Sequence, residues 1–127
     1  MGSFYIISDE ATVEEAGCAD VAVVAMSGEL DYAASPQLRR RIDGHLKAGR
    51  RRLVLDLSEV TFIDSTAIGV LLGAVTRLNE AGGGALEIVC ADENARVLRI
   101  FAITGIDSTI ALHGTREEAF SALAVAG

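Results

Sequence analysis

The residues of this chain best placed to do chemistry lie in one run, Asp64-Ser65-Thr66, between an apolar stretch and a glycine-bearing one. A serine beside an aspartate at the start of a helix can act as a nucleophile, accept a phosphoryl group, or cap the helix. Nucleophilic catalysis needs a neighbouring base and an acid to orient it. The surroundings of Ser65 are not the Gly-x-Ser-x-Gly elbow of hydrolases. His45 reads as a residue of a helix surface and His113 as one that follows a strand, so neither has a sequence reason to meet Ser65. No cluster of cysteine and histidine has metal-ligand spacing. Gly82-Gly83-Gly84 follows a helix and is not followed by Gly-Lys-Ser/Thr, so it is a flexible turn and no phosphate loop. No enzyme activity, metal or cofactor is expected. A cap and a modification site remain.

The elements around this run are legible. Leu53 to Leu57 is a buried strand, followed by a short turn and a helix from Asp64-Ser65-Thr66 to about Ala81. Aspartate and serine are both good caps, since a side-chain oxygen accepts the first free backbone N–H groups. Ile68, Leu71, Leu72, Val75 and Leu78 recur at three- and four-residue steps and form an apolar stripe. The opposite face carries Thr66, Gly69, Val70, Gly73 and Arg77. Each of the two glycines costs the helix roughly 1 kcal/mol relative to alanine. Either another surface approaches that face closely, or the fold itself packs tightly against it.

Asp64-Ser65-Thr66-Ala67-Ile68-Gly69, after a strand ending Asp56-Leu57-Ser58, resembles the phosphorylation-site signature of anti-sigma factor antagonists. These are stand-alone bacterial members of the STAS family (sulfate transporter and anti-sigma antagonist domain). Gly28-Glu29-Leu30-Asp31 after an earlier strand adds to the resemblance, which runs from about Asp20 to the end of the chain. Ala67 stands where the family usually has glycine, and alanine suits a first helical turn better. The resemblance implies a single STAS domain over residues 1–127 with its core at about 20–125. It also implies phosphorylation of Ser65, where an isolated Asp-Ser-Thr would be read as a plain cap. Asp107-Ser108-Thr109 repeats the tripeptide, but a strand-like run follows it, so Ser108 reads as a turn residue.

Composition narrows the class. The 127 residues suit one domain with a real core, and half of them are hydrophobic, as in a packed globular protein. A net charge of −7 and a pI near 4.7 argue against direct nucleic-acid binding, which needs a basic face. Seven of the eleven basic residues nevertheless fall between Arg39 and Arg52. That segment is either a solvated helix face and strand entry or a patch for an acidic partner. Cys18 and Cys90 make no disulfide framework, and Cys90 reads as core. No run approaches the ~18 apolar residues of a membrane span and no signal peptide is evident, so no membrane insertion and a cytoplasmic location are expected.

The remaining elements follow in order. Phe4 to Ile7 reads as an edge strand, Asp9 to Asp20 as a loop or hairpin connection, and Val21 to Met26 as a strand covered on both faces. Ser35 as cap, Pro36 in the first turn and Gly49 beyond the end bound a helix with Leu38, Ile42 and Leu46 inward. Leu86, Ile88 and Cys90 alternate in a strand. Asp92 caps a third helix with Val97, Leu98 and Phe101 inward and Gly105 closing it. Ile110 to Leu112 is a short strand, and Thr115-Arg-Glu-Glu118 has the capping-box pattern for a last helix. Strands alternating with helices predict an α/β fold. The pattern implies a small, mixed, mainly parallel sheet and by itself also allows a small doubly wound fold; the STAS resemblance implies about four helices packed largely on one face.

The resemblance implies partner exchange. The protein would bind an anti-sigma factor, commonly also an ATP-dependent serine kinase, and so free a sigma factor. Phosphorylation of Ser65 would end the complex and a serine phosphatase would reset it. The contact surface would centre on Asp64, Ser65, Thr66, Gly69, Val70 and Gly73, with Asp31 beside it. Two alternatives are open: a docking subunit of a transporter or lipid-trafficking complex, using the same helix without phospho-control, or a small-ligand binder.

Overall fold

The computed structural model of the protein describes residues 4–12 and 21–126. The strands are β1 (Phe4–Thr12), β2 (Val21–Leu30), β3 (Arg52–Ile63), β4 (Ala85–Val89) and β5 (Ala111–His113). The helices are α1 (Ser35–Lys47), α2 (Ser65–Ala81), α3 (Ala95–Thr104) and α4 (Arg116–Ala126), with a 3-10 turn at Ile106–Ser108. The five strands lie in the order β1-β2-β3-β4-β5. β1 is antiparallel to β2 and forms the edge, while β2, β3, β4 and β5 run parallel. The mixed, mainly parallel sheet is as expected.

This strand order decides where the helices go. The parallel strands advance across the sheet in one direction, and crossovers are right-handed. The three crossover helices, α1, α2 and α3, therefore lie on one face. There Leu38 and Ile42 of α1, Leu71, Ala74 and Leu78 of α2, and Val97 and Phe101 of α3 pack on Ala22, Val24, Met26, Leu53, Leu55, Leu57, Leu86 and Ile88. Helix α4 is no crossover and is free to cover the other face, where Ala119 and Leu123 pack on Val21, Val23, Val54 and Val89. Alternate residues of each strand point to opposite sides, so the continuous apolar run of β2 serves both cores.

Several boundaries differ from the sequence expectation. Strand β1 continues to Thr12, into the stretch read as a loop, and residues 13–20, with Cys18, lie outside the described residues. Strand β3 does not end near Leu57 but runs to Ile63. Its pairing with β2 passes from Ala25↔Asp56 to Ser27↔Glu59 and from Gly28↔Val60 to Glu29↔Phe62, so β3 carries two extra residues. Such bulges break the alternation by which a strand is recognised. Past Asp56 this strand has no pairing with β4. The Asn94 amide instead donates to Leu57 O at 3.3 Å and Val60 O at 2.6 Å. Asn94 precedes α3, and neither it nor Asp92 makes a side-chain cap bond there.

Helix α1 is not capped by Ser35. The Asp31 carboxylate accepts from Ala33 N at 3.1 Å and Ala34 N at 3.0 Å, and Asp31 O accepts from Ser35 Oγ at 2.8 Å. Asp31 thus builds a turn that leads into the helix, and Gly49, at φ +89°, lies just past the helix end. At α4, Thr115 Oγ1 accepts from Glu118 N at 3.2 Å, and Glu118 Oε1 accepts from Gly114 N at 2.9 Å, a displaced form of the predicted capping box. Among the described residues, no helix is long and apolar enough to cross a membrane.

Candidate functional site: the head and outer face of helix α2

Strand β3 delivers the chain to Asp64 in an extended conformation, φ −115° and ψ −179°, from which α2 starts. Asp64 Oδ1 accepts from Ala67 N at 3.0 Å, which makes Asp64 the cap. Its other oxygen, Oδ2, accepts from Tyr32 N at 2.8 Å, and Asp64 N donates to Leu30 O at 3.3 Å. One residue therefore fixes both the head of α2 and the loop between β2 and α1.

Because Asp64 caps the helix, Ser65 does not have to. Ser65 is the first helical residue, it is exposed, and its hydroxyl has no hydrogen bond to any described residue. Thr66 beside it is also exposed. The N–H groups of Ser65 and Thr66 have no backbone acceptor. That is the ordinary state of a first helical turn and a favourable setting for negative charge.

The outer face of α2 consists of Ser65, Thr66, Gly69, Leu72, Gly73 and Thr76, all exposed. A Cβ built on Gly69 or Gly73 would meet nothing within 4 Å. Tight internal packing therefore does not explain either glycine. The helix is weakened by roughly 1 kcal/mol at each position and gains no internal contact. What the glycines leave is a shallow strip on which another backbone could lie close.

One predicted surface residue moves inside. Val70 is only 4% exposed and belongs to the core, whereas Leu72, assigned to the buried stripe, is 39% exposed. The buried arc of α2, carrying Ala67, Ile68, Val70, Leu71, Ala74 and Leu78, is wider than a three- and four-residue stripe, because the helix rests on the sheet and also abuts α1. Val70 belongs to that arc, so its side chain lies in the core and not on the outer face. Arg77 reaches across to Asp43 of α1 in an ion pair.

The other candidates have other employment. His45 is buried, contrary to the surface placement expected of it, with Nδ1 3.3 Å from an Arg50 guanidinium nitrogen. His113 Nε2 is 2.6 Å from Glu87 Oε1. Ser108 lies in the 3-10 turn and donates to Gly105 O at 2.7 Å. Cys90 is buried, and desolvation together with the charges of Asp56 and Asp92 pushes its thiol up to about 11, so it stays a protonated core group. Among the described residues no group of acids, histidines and cysteines could hold a metal ion.

The sequence reading missed Tyr32 and Phe62. Tyr32 is 73% exposed on the loop that Asp64 holds, and it lines a groove with Phe4, Glu29, Asp31 and Gln37. Phe62 is 38% exposed two residues before the cap. No periodicity marks either; an aromatic residue in a polar context was the only available signal.

Comparison with known proteins agrees with this arrangement. The STAS domain family matches residues 12–119. The anti-sigma F factor antagonist of Paenibacillus polymyxa is 30% identical over 106 residues, 83% of this chain and 88% of that protein. The anti-sigma-B factor antagonist of Listeria monocytogenes is 28% identical over 95 residues, covering 75% of this chain and 81% of the relative. An anti-sigma factor antagonist from Mycobacterium paratuberculosis superposes with a TM-score of 0.74 at 27% identity, over 95% of this chain and 94% of the other. By sequence and by fold, this chain belongs to the STAS domain family.

Proposed function

We propose that this protein is an anti-sigma factor antagonist that works by partner exchange in the cytoplasm. Unphosphorylated, it binds an anti-sigma factor that is also a serine kinase, and so releases a sigma factor for transcription. Asp64, Ser65, Thr66, Gly69 and Gly73 form the centre of the contact, and Asp31 lies at its margin. The kinase moves the γ-phosphoryl group of ATP to Ser65 Oγ. The O–P bond forms as the bond to ADP breaks, and the hydroxyl proton passes to a base of the kinase. A serine phosphatase hydrolyses the ester and restores the free hydroxyl.

The observation that carries this reading is the division of labour between Asp64 and Ser65. The aspartate caps α2, which leaves the serine hydroxyl exposed and unbonded at the head of a helix whose outer face is a strip of open glycines. A phosphoserine there would bring about −1.5 to −2 charges, which a helix N-terminus tolerates well. The same charge beside Asp64 would have to be desolvated in a tight interface, where an unpaired ion is costly. Modification would thus spare the fold and break the complex. The relatives named as anti-sigma factor antagonists support the assignment of the partner class.

The test is intact-mass measurement after incubation with ATP and the nearest encoded serine kinase, alongside Ser65→Ala. One added phosphate, absent from the variant, is the expected result. No phosphate, with the kinase active on another substrate, would favour a docking subunit that uses α2 without covalent control.

A further inference from the structure

The basic residues of this acidic protein are gathered on α1 and the start of β3. Seven of the eleven lysines and arginines lie between residues 39 and 52, against one carboxylate, Asp43. The rest of the chain holds the other seventeen carboxylates and four basic residues. On α1, Arg39, Arg40 and Lys47 are exposed, and none makes a hydrogen bond or ion pair with a described residue. Gly44 lies between Arg40 and Lys47 on the same line of the helix. It is exposed, and a Cβ there would meet nothing within 4 Å. An interior glycine that weakens a helix without an internal contact is the feature already seen on α2, here flanked by cations.

The two faces are neighbours. Helices α1 and α2 both run back from the same end of the sheet, pack together, and are tied by the Asp43–Arg77 ion pair. Between their C-terminal halves runs a groove lined by Leu46, Lys47, Arg51, Arg77, Ala81 and Asp43. Packed helices lie about 8–10 Å apart. One side of an ordinary protein interface covers about 800 Å2, a patch roughly 30 Å across. A partner centred on Gly69 and Gly73 therefore extends over α1 as well.

We propose that the outer face of α1, with its groove against α2, is the electrostatic half of the docking surface and takes a carboxylate-rich segment of the same protein partner. The inference rests on the reading of α2 given above for the identity of that partner. Charge complementarity selects the occupant. A long nucleic acid would run off this small patch onto the rest of a chain that holds seventeen carboxylates against four basic residues, and the patch has no exposed large apolar side chain to enter a membrane. A short acidic segment fits the patch and meets Gly44 closely. Such a surface acts mainly on the rate of association and on its salt dependence.

The experiment measures association and dissociation of the full protein with the nearest encoded anti-sigma factor at several salt concentrations. Wild type is compared with Arg40→Glu/Lys47→Glu and with the milder Arg40→Gln/Lys47→Gln, and thermal melts check that each variant is folded. Charge reversal is expected to slow association about tenfold or more at low salt and to flatten its salt dependence. Neutralisation should give an intermediate effect. A wild type that binds while both variants associate at its rate, with its salt dependence, would overturn this inference and leave the α2 reading standing. A wild type that binds no such partner would overturn both. Self-association of the protein alone, abolished by the same reversal, would also overturn it by giving the face to a second copy.

Discussion

At the residue scale, Asp64 carries more than its position as a cap suggests. One carboxylate oxygen holds the head of α2 and the other holds Tyr32 N on the β2–α1 loop. Replacing it with alanine removes a helix cap, worth about 0.5–2 kcal/mol, and leaves the Tyr32 amide without its charged acceptor. Asp64→Ala is therefore expected to lower stability by about 1–3 kcal/mol in urea unfolding, whereas Asp64→Asn should keep most of it. Ser65→Ala removes no hydrogen bond and should leave stability within about 0.5 kcal/mol of wild type. A large loss in Ser65→Ala would mean that the hydroxyl has structural work after all.

A second residue-scale expectation concerns Asp56. Burial alone would raise its carboxyl, but the Arg116 guanidinium at 2.7 Å and the Ser58 bonds outweigh that and hold it below the ordinary 3.8. The folded state thus binds this proton less readily than the unfolded chain. The resulting stabilisation is fully present above pH 3.8 and is lost as pH falls through the lower folded-state value. Urea unfolding of wild type and Arg116→Gln between pH 6 and pH 2.5 measures it. The gap between the two proteins should be constant at the upper end and close at the lower.

At the element scale, α2 holds its outer face in a form that favours contact over stability. Gly69→Ala and Gly73→Ala should each stabilise the protein by about 0.5–1 kcal/mol, because alanine is the better helix former and the added methyl meets open space. The same methyls should weaken binding to the anti-sigma factor. Thermal melts and a binding titration on each variant measure the two effects. A variant that gained stability with unchanged affinity would remove the glycine strip from the interface. Strand β3 makes a different kind of exception. Its bulges leave Leu57 and Val60 carbonyls to the Asn94 amide, so Asn94→Ala should cost about 1–3 kcal/mol.

At the scale of the whole molecule, the proposed switch changes the surface and spares the fold. A phosphate at the head of α2 interacts with free N–H groups and the positive end of the helix, an effect of about 0.3–1 kcal/mol in the stabilising direction. Phosphorylated protein should melt at or slightly above the temperature of the unmodified form, with the same circular dichroism spectrum. A clear drop would show that the modification acts by disturbing the fold. The arrangement of cores fits this expectation. Helix α2 is anchored by Ala67, Leu71, Ala74 and Leu78, all buried, while the modified serine projects from the other side.

The sequence determined the kind and order of the strands and helices, though not where β1 and β3 end, because periods of two and of three to four residues follow directly from burying one side of each element. It also determined that Asp64 and Ser65 head the glycine-bearing helix, because strand, cap and apolar stripe are all local. It could not say which of the two caps that helix, since both are good cap residues at that place, nor that Asp64 also holds Tyr32 on a loop distant in sequence. Tertiary packing likewise decided that Val70 is buried and Leu72 exposed, because the width of a helix's buried arc depends on how many neighbours it has. The continuation of β3 through two bulges and the use of Asn94 to satisfy their carbonyls share that cause. Each is a contact between residues far apart in the chain, and no local pattern encodes it.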